Sequence, residues 1–99
     1  MHARVSTYQG RDTDRLIEGF ESVTGALQGI EGFCNAYFMV DRETGRAMSI
    51  TIWDSEDALN ASVSQADELR KQGTQPSGAV VEHVQHFEIP IVLGTSVRA

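Results

Sequence analysis

Val40-Asp41-Arg42-Glu43-Thr44-Gly45-Arg46-Ala47-Met48-Ser49-Ile50-Thr51-Ile52-Trp53 is the stretch that decides the fold. From Ala47 the residues alternate, with Met48, Ile50 and Ile52 set against Ala47, Ser49, Thr51 and Trp53. That period of two belongs to a strand with one buried face. Asp41 to Arg46 is polar, with Gly45 available for positive φ, and the run before it, Gly32 to Asp41, carries Phe33, Tyr37, Phe38, Met39 and Val40. Two strands joined by a short Gly-containing turn predict a β-hairpin.

Outward from the hairpin, each flank supplies a helix and then a strand. Upstream, Leu16, Phe20, Val23 and Leu27 recur at helical spacing between Asp14 and Gln28, with Ile17 widening the stripe. Asp12 or Thr13 caps that helix and Gly29 stops it. His2 to Gln9 precedes it as a first strand. Downstream, Ser55 is an N-cap with Glu56 and Asp57 in the first turn, where negative charge suits the helix dipole. A single helix is expected to run from there to Gln72, with Leu59, Val63, Ala66 and Leu69 facing one way. Gly73 to Gly78 is a loop, and a last strand covers Ala79 to Ile89, with an extension to Leu93 past Pro90.

The resulting βαββαβ order is the split βαβ arrangement of a ferredoxin-like α+β domain. Right-handed crossovers put both helices on one face of a four-stranded antiparallel sheet in the order 4-1-3-2. The domain is expected to span residues 1–93, with 94–99 as a C-terminal tail. Parity then divides the strand residues between faces. Ala3, Val5, Thr7, Cys34, Ala36, Phe38, Val40, Met48, Ile50 and Ile52 are nearly all apolar and are expected beneath the helices. Arg4, Ser6, Tyr8, Phe33, Asn35, Tyr37, Met39, Ser49, Thr51 and Trp53 form the mixed set expected on the uncovered face. Large aromatics left bare there would make a sizeable exposed patch, so a symmetric homodimer through that face is expected.

Composition narrows the function classes. The chain has 99 residues, 40% of them hydrophobic, and a net charge of −6 from 14 acidic and eight basic residues. That balance lacks the clustered Lys and Arg of a nucleic-acid footprint. The bias of Arg over Lys suits a GC-rich bacterial genome. Cys34 cannot form an internal disulfide and is expected to be a small buried residue. The start of the chain lacks the apolar core of a secretory signal and no run is long enough to span a bilayer. A cytoplasmic protein without membrane or nucleic-acid partners is expected.

The residues Gly32-Phe33, Ala36-Tyr37 and Val40 to Arg46, leading to Trp53-Asp54-Ser55-Glu56-Asp57-Ala58-Leu59, resemble the antibiotic-biosynthesis-monooxygenase-like (ABM) family of dimeric α/β-barrel proteins. The likeness runs over roughly residues 2 to 92, and its most recognisable element is the strand ending in Trp53 before Ser55-x-x-Ala58-Leu59. The resemblance implies the βαββαβ fold and a barrel-like dimer of two sheets. It also implies functions that range from cofactor-independent oxygenation of aromatic polyketides or quinols to haem degradation. The haem-degrading members pair a first-strand Asn with a His and a Trp on the second helix. Here the first strand offers Arg4, Ser6 and Tyr8, and the second helix ends Leu69-Arg70-Lys71-Gln72, which points away from haem.

Candidate site residues follow from residue type. Tyr37 and Asn35 share a strand face and could bind a phenolic oxygen together, or form a polar pair at the dimer interface. Trp53 is either a stacking platform for a flat substrate or a packing anchor where strand meets helix. His83 and His86 point to opposite faces of one strand, so they cannot chelate one ion. Either could act as a general base, and His83, beside Phe87 and Ile89, is expected to be the more buried. Arg4 could hold an anionic or enolate oxygen, or pair with Glu82. No phosphate loop, nucleophile elbow or metal-spaced set is present, so no cofactor and no metal are indicated.

Two functions compete on these residues. One is a cofactor-independent monooxygenase acting on a small aromatic or quinol. The other is a non-catalytic dimeric module that binds a small apolar or aromatic molecule or serves structure. The expected discriminator is an apolar cavity of a few hundred Å³ with Tyr37, Asn35, Trp53 or His83 pointing in.

Overall fold

The turn closes as its residues require in the computed structural model, which describes residues 1–94. The Asp41 carboxylate accepts from the backbone amides of Glu43 (3.0 Å) and Thr44 (3.4 Å), bonds that hold its pKa below the ordinary value. Gly45 sits at φ +78°, a conformation that only glycine adopts without strain.

The elements are β1 (His2–Gln9), α1 (Thr13–Gln28), β2 (Phe33–Asp41), β3 (Arg46–Trp53), α2 (Glu56–Ala61), α3 (Val63–Thr74) and β4 (Val80–Glu88). The strands form one antiparallel sheet in the order β2-β3-β1-β4, which is the expected 4-1-3-2 read from the other edge. Asp12 caps α1 by accepting from the Arg15 amide, and Leu16, Phe20, Val23 and Leu27 are buried as the stripe demands. No helix among the described residues is long and apolar enough to cross a membrane.

Register corrects the expected faces of β1 and β3. Four residues separate Asp41 from its partner Arg46, so an even-numbered residue of β2 faces an odd-numbered one of β3 along most of the ladder: Phe38 pairs with Ser49 and Val40 with Ala47. Through β1 the same face collects Arg4, Ser6 and Tyr8. Those residues, with Ser49, Thr51 and Trp53, are buried beneath the helices. The apolar set Val5, Met48, Ile50 and Ile52 instead lies on the uncovered face, beside Tyr37 and Met39. The β2 assignments of Ala36, Phe38 and Val40 to the helix side hold. Phe33 and Cys34 do not follow their parity, because the register shifts between Phe33 and Asn35. Phe33 packs edge-on against Trp53 in the core, and Cys34 is exposed.

The second helix is not continuous. It breaks at Ser62, whose hydroxyl donates to the Leu59 carbonyl at 2.7 Å. The break rotates Val63 out of the expected stripe to the surface, while Leu59 and Ala66 stay buried. The last strand ends at Glu88, and Ile91, Val92 and Leu93 beyond Pro90 are exposed. Of the expected tail, residues 95–99 lie outside the described residues.

Two clusters fill the core: Tyr8, Leu16, Phe20 and Ala47 at one end, and Leu27, Trp53 and Leu59 at the other. Between them α1 and α3 cross with backbone against backbone, since a Cβ on Gly19 would run into the Gly73 carbonyl. Gly19→Ala should therefore cost about 1–3 kcal/mol, the usual penalty of overpacking. Gly25→Ala, where an added methyl meets nothing within 4 Å, should instead stabilise by up to about 1 kcal/mol through helix propensity. Urea unfolding of both variants checks the pair, and equal effects would mean that the helices do not cross this closely.

Candidate functional site

Inverting the faces puts polar residues where a core would be expected. Arg4, Ser6 and Tyr8 of β1 and Ser49 and Thr51 of β3 form the floor of a cavity of about 50 Å³ between sheet and helices. Phe38 of β2 and Phe20, Val23 and Leu27 of α1 supply apolar walls, and Ala66, Leu69, Arg70 and Gly73 of α3 close it. The floor is largely tied to itself. The Tyr8 hydroxyl and Ser49 Oγ lie 2.8 Å apart, and Arg70 Nε donates to Ser6 Oγ at 3.3 Å. Thr51 Oγ1 accepts from the Trp53 indole at 3.0 Å.

Arg4 is the unusual member. It is only 3% exposed, and a buried charge is costly unless paired. Nη2 donates to the Leu59 carbonyl (3.0 Å) and to Ser62 Oγ (3.1 Å), and Nε donates to His86 Nε2 (3.2 Å). The guanidinium also lies 5.6 Å from the centre of the Trp53 ring. The sequence thus places a cation at the carbonyl end of α2, where the break at Ser62 leaves Leu59 O short of its ordinary helical partner. Nη1 has no partner and is buried. Arg4 has no carboxylate partner among the described residues, and burial, then the nearby charge of Arg70, lowers its pKa.

Comparison with known proteins identifies the fold. No family model matches the chain. Two uncharacterised proteins of Mycobacterium tuberculosis are similar in sequence. One is 32% identical over 84 residues, covering 81% of this chain and 37% of its own length. The other is 39% identical over 71 residues, covering 71% and 30%. The chain thus spans about a third of the length of the curated relatives it matches. Among solved structures, SnoaB, a cofactor-independent oxygenase from Streptomyces nogalater, superposes with a TM-score of 0.74 at 13% identity, over 95% of this chain and 97% of that one. The heme-degrader MhuD from Mycobacterium tuberculosis, solved with two hemes in its active site, gives 0.74 at 17% identity over 95% and 100%. The ActVA-Orf6 monooxygenase of Streptomyces coelicolor, in complex with Nanaomycin D, gives 0.69 at 16% identity over 96% and 92%. This is the antibiotic biosynthesis monooxygenase fold.

Within the ABM fold the sequence-based candidates scatter. Arg4 lines the cavity. Trp53 is fully buried against Leu27 and Leu59 and stands beside the cavity, behind Arg4. Tyr37 is 49% exposed on the open face, with its hydroxyl 3.5 Å from Asn35 Nδ2. His83 pairs with Thr7 on that same face and is exposed, contrary to the burial expected of it. The partner of Arg4 is His86, not Glu82.

Sequence reasoning missed Ser6, Tyr8, Ser49, Thr51 and Arg70. The signal lay in the turn: a four-residue connection fixes odd against even, which moves the Ser49 and Thr51 face of β3 over to Phe38 of β2.

His86 is where pH should act on this site. Its Nε2 accepts from Arg4 Nε, so the proton of the neutral ring is on Nδ1. Partial burial, then the charges of Arg4 and Arg70, hold its pKa below 6.5, with Asp67 opposing. The unfolded chain therefore binds this proton at higher pH than the folded one. The stability the neutral ring contributes is present above about pH 6.5 and is lost as pH falls below it. Urea midpoints measured from about pH 7.5 down to about pH 5.5 should decline in the wild type. They should decline less in His86→Gln, which can still accept from Arg4, and an equal decline would place the titrating group elsewhere.

Proposed function

We propose that this domain is an ABM-like homodimer that binds a small aromatic molecule between its sheet and helices and oxygenates it without a cofactor. The observation that supports this reading most is the makeup of the cavity. Apolar walls from Phe20, Phe38, Val23 and Leu27 face a polar floor of Arg4, Ser6, Tyr8 and Ser49. Cofactor-independent oxygenation needs that combination: a dry site with a few fixed donors that stabilise a substrate anion, while the substrate itself reduces oxygen. Arg4 and the Tyr8–Ser49 pair are the donors. At about 50 Å³ the cavity is smaller than the few hundred Å³ typical of ligand pockets. A ring-sized substrate therefore enters by displacing apolar side chains of the lining, Leu69 of α3 first. The alternative is a non-catalytic module that binds the same class of molecule.

The homodimer rests on the open sheet face. Val5, Ile50 and Ile52 lie there with Tyr37, Met39 and Phe87, which are 49%, 43% and 48% exposed. A contiguous apolar surface of that kind on a lone chain calls for a partner. The exposed Ile91, Val92 and Leu93 are free to lie across a second copy. The exposed thiol of Cys34 suits the reducing cytoplasm.

An oxygen electrode tests catalysis. With a panel of benzo- and naphthoquinols the wild type should consume oxygen faster than autoxidation. Tyr8→Phe and Ser49→Ala should each lower that rate by about tenfold or more, the scale of one lost donor. Uptake no faster than autoxidation, with ligand still bound, would leave the binding module as the function. Sedimentation velocity tests assembly: a dimer is expected at micromolar concentration, with Ile50→Glu shifting it to monomer. A monomeric wild type would contradict the interface.

A further inference from the structure

We propose that the ligand of this cavity is an acid, its carboxylate accepting a hydrogen bond from Arg4 Nη1 with Arg70 as the second positive charge. The inference deepens the functional reading and rests on the cavity being a ligand site. It starts from an imbalance. Arg4 is 3% exposed and lines the cavity, yet its three hydrogen bonds all leave from Nε and Nη2, and the buried Nη1 has no partner. The negative charge that reaches it is that of Asp67, which is bonded to Arg70 and not to Arg4. Its neighbours are a carbonyl, a hydroxyl, a neutral imidazole and an indole ring.

A second cation stands on the same wall. The Arg70 side chain is 10% exposed, lines the cavity and donates to Ser6 Oγ, while its carboxylate partner Asp67 is more than half exposed. Two guanidinium groups thus stand beside apolar walls with one half-exposed carboxylate between them, and Arg4 Nη1 is left without a partner. An unpaired buried cation is destabilising, and a charge-assisted bond to an anion removes that cost. A neutral ligand would leave the imbalance in place.

The size and surroundings define the acid. The half-open volume of about 50 Å³ takes the head of a ligand. Phe20 and Phe38, with ring centres 4.7 Å apart, offer aromatic surface next to it. On the other side Ser6 pairs with Val84 of β4, which is 42% exposed on the helix side of the sheet and offers apolar contact to the body of the ligand beyond the head. A small aromatic carboxylic acid meets all three conditions.

Amide-detected NMR titration of the whole chain with benzoate and 1-naphthoate, each against its neutral amide, tests this. The acids should bind at least about tenfold more tightly than the amides, the scale of one charge-assisted bond, with the largest shifts at Arg4, Ser6, Ser49 and Leu59. Amides binding as well as acids, or shifts centred on Tyr37 and His83, would overturn the proposal. Arg4→Lys keeps the charge but also disturbs the end of α2, so Arg70→Gln provides the second arm. It should weaken the acids severalfold and leave the amides unchanged, and an equal loss for both would count against the proposal. Tight acid binding without oxygen uptake from any quinol would remove the oxygenase reading alone.

Discussion

A buried guanidinium at the broken end of a helix organises this domain. Arg4 reaches from the middle of the sheet to the Leu59 carbonyl and the Ser62 hydroxyl, and it stacks near Trp53 on the way. At the break the Leu59 carbonyl accepts from the Ser62 amide and hydroxyl, and Arg4 adds a charged donor to the same oxygen and ties the helix end to the sheet. From there α3 sets off in a new direction and crosses α1 at Gly19 and Gly73, leaving a cavity between the two core clusters. The same residue therefore shapes the helices and supplies the charge inside the site.

That double duty explains why the core looks wrong for a core. Ser6, Ser49 and Thr51 are buried under helices where Val or Ile would pack better, while Val5, Ile50 and Ile52 occupy the open face. A sheet with one helix-covered face normally keeps its apolar residues beneath the helices. Here the helix-covered face is partly polar because it lines the cavity, and the other face is apolar, as a surface made to meet a second sheet would be. The two oddities are one arrangement seen from opposite sides.

This also accounts for what the sequence allowed and where it misled. The helix over Asp14 to Gln28 was legible because Leu16, Phe20, Val23 and Leu27 follow one period, and the hairpin was legible from Asp41 to Gly45. The strand order came from topology alone. The faces of β1 and β3 were misread because hydrophobic alternation reports which side is apolar, not which side the helices cover. Of the candidate residues only Arg4 lines the cavity; Tyr37 and Asn35, from the mixed set expected on the uncovered face, and His83 stand on the open side of the sheet. The break at Ser62 had no local signal, since Ser62 is unexceptional in a helix and its role depends on Arg4, more than fifty positions away.

The central claim is that the working site lies between the sheet and the helices. A crystal structure of the protein with a bound aromatic ligand tests it most directly. The account predicts the ligand against Phe20 and Phe38 with an oxygen on Arg4. A ligand on the open face beside Tyr37, Asn35 and His83, with the Arg4 cavity closed, would contradict it.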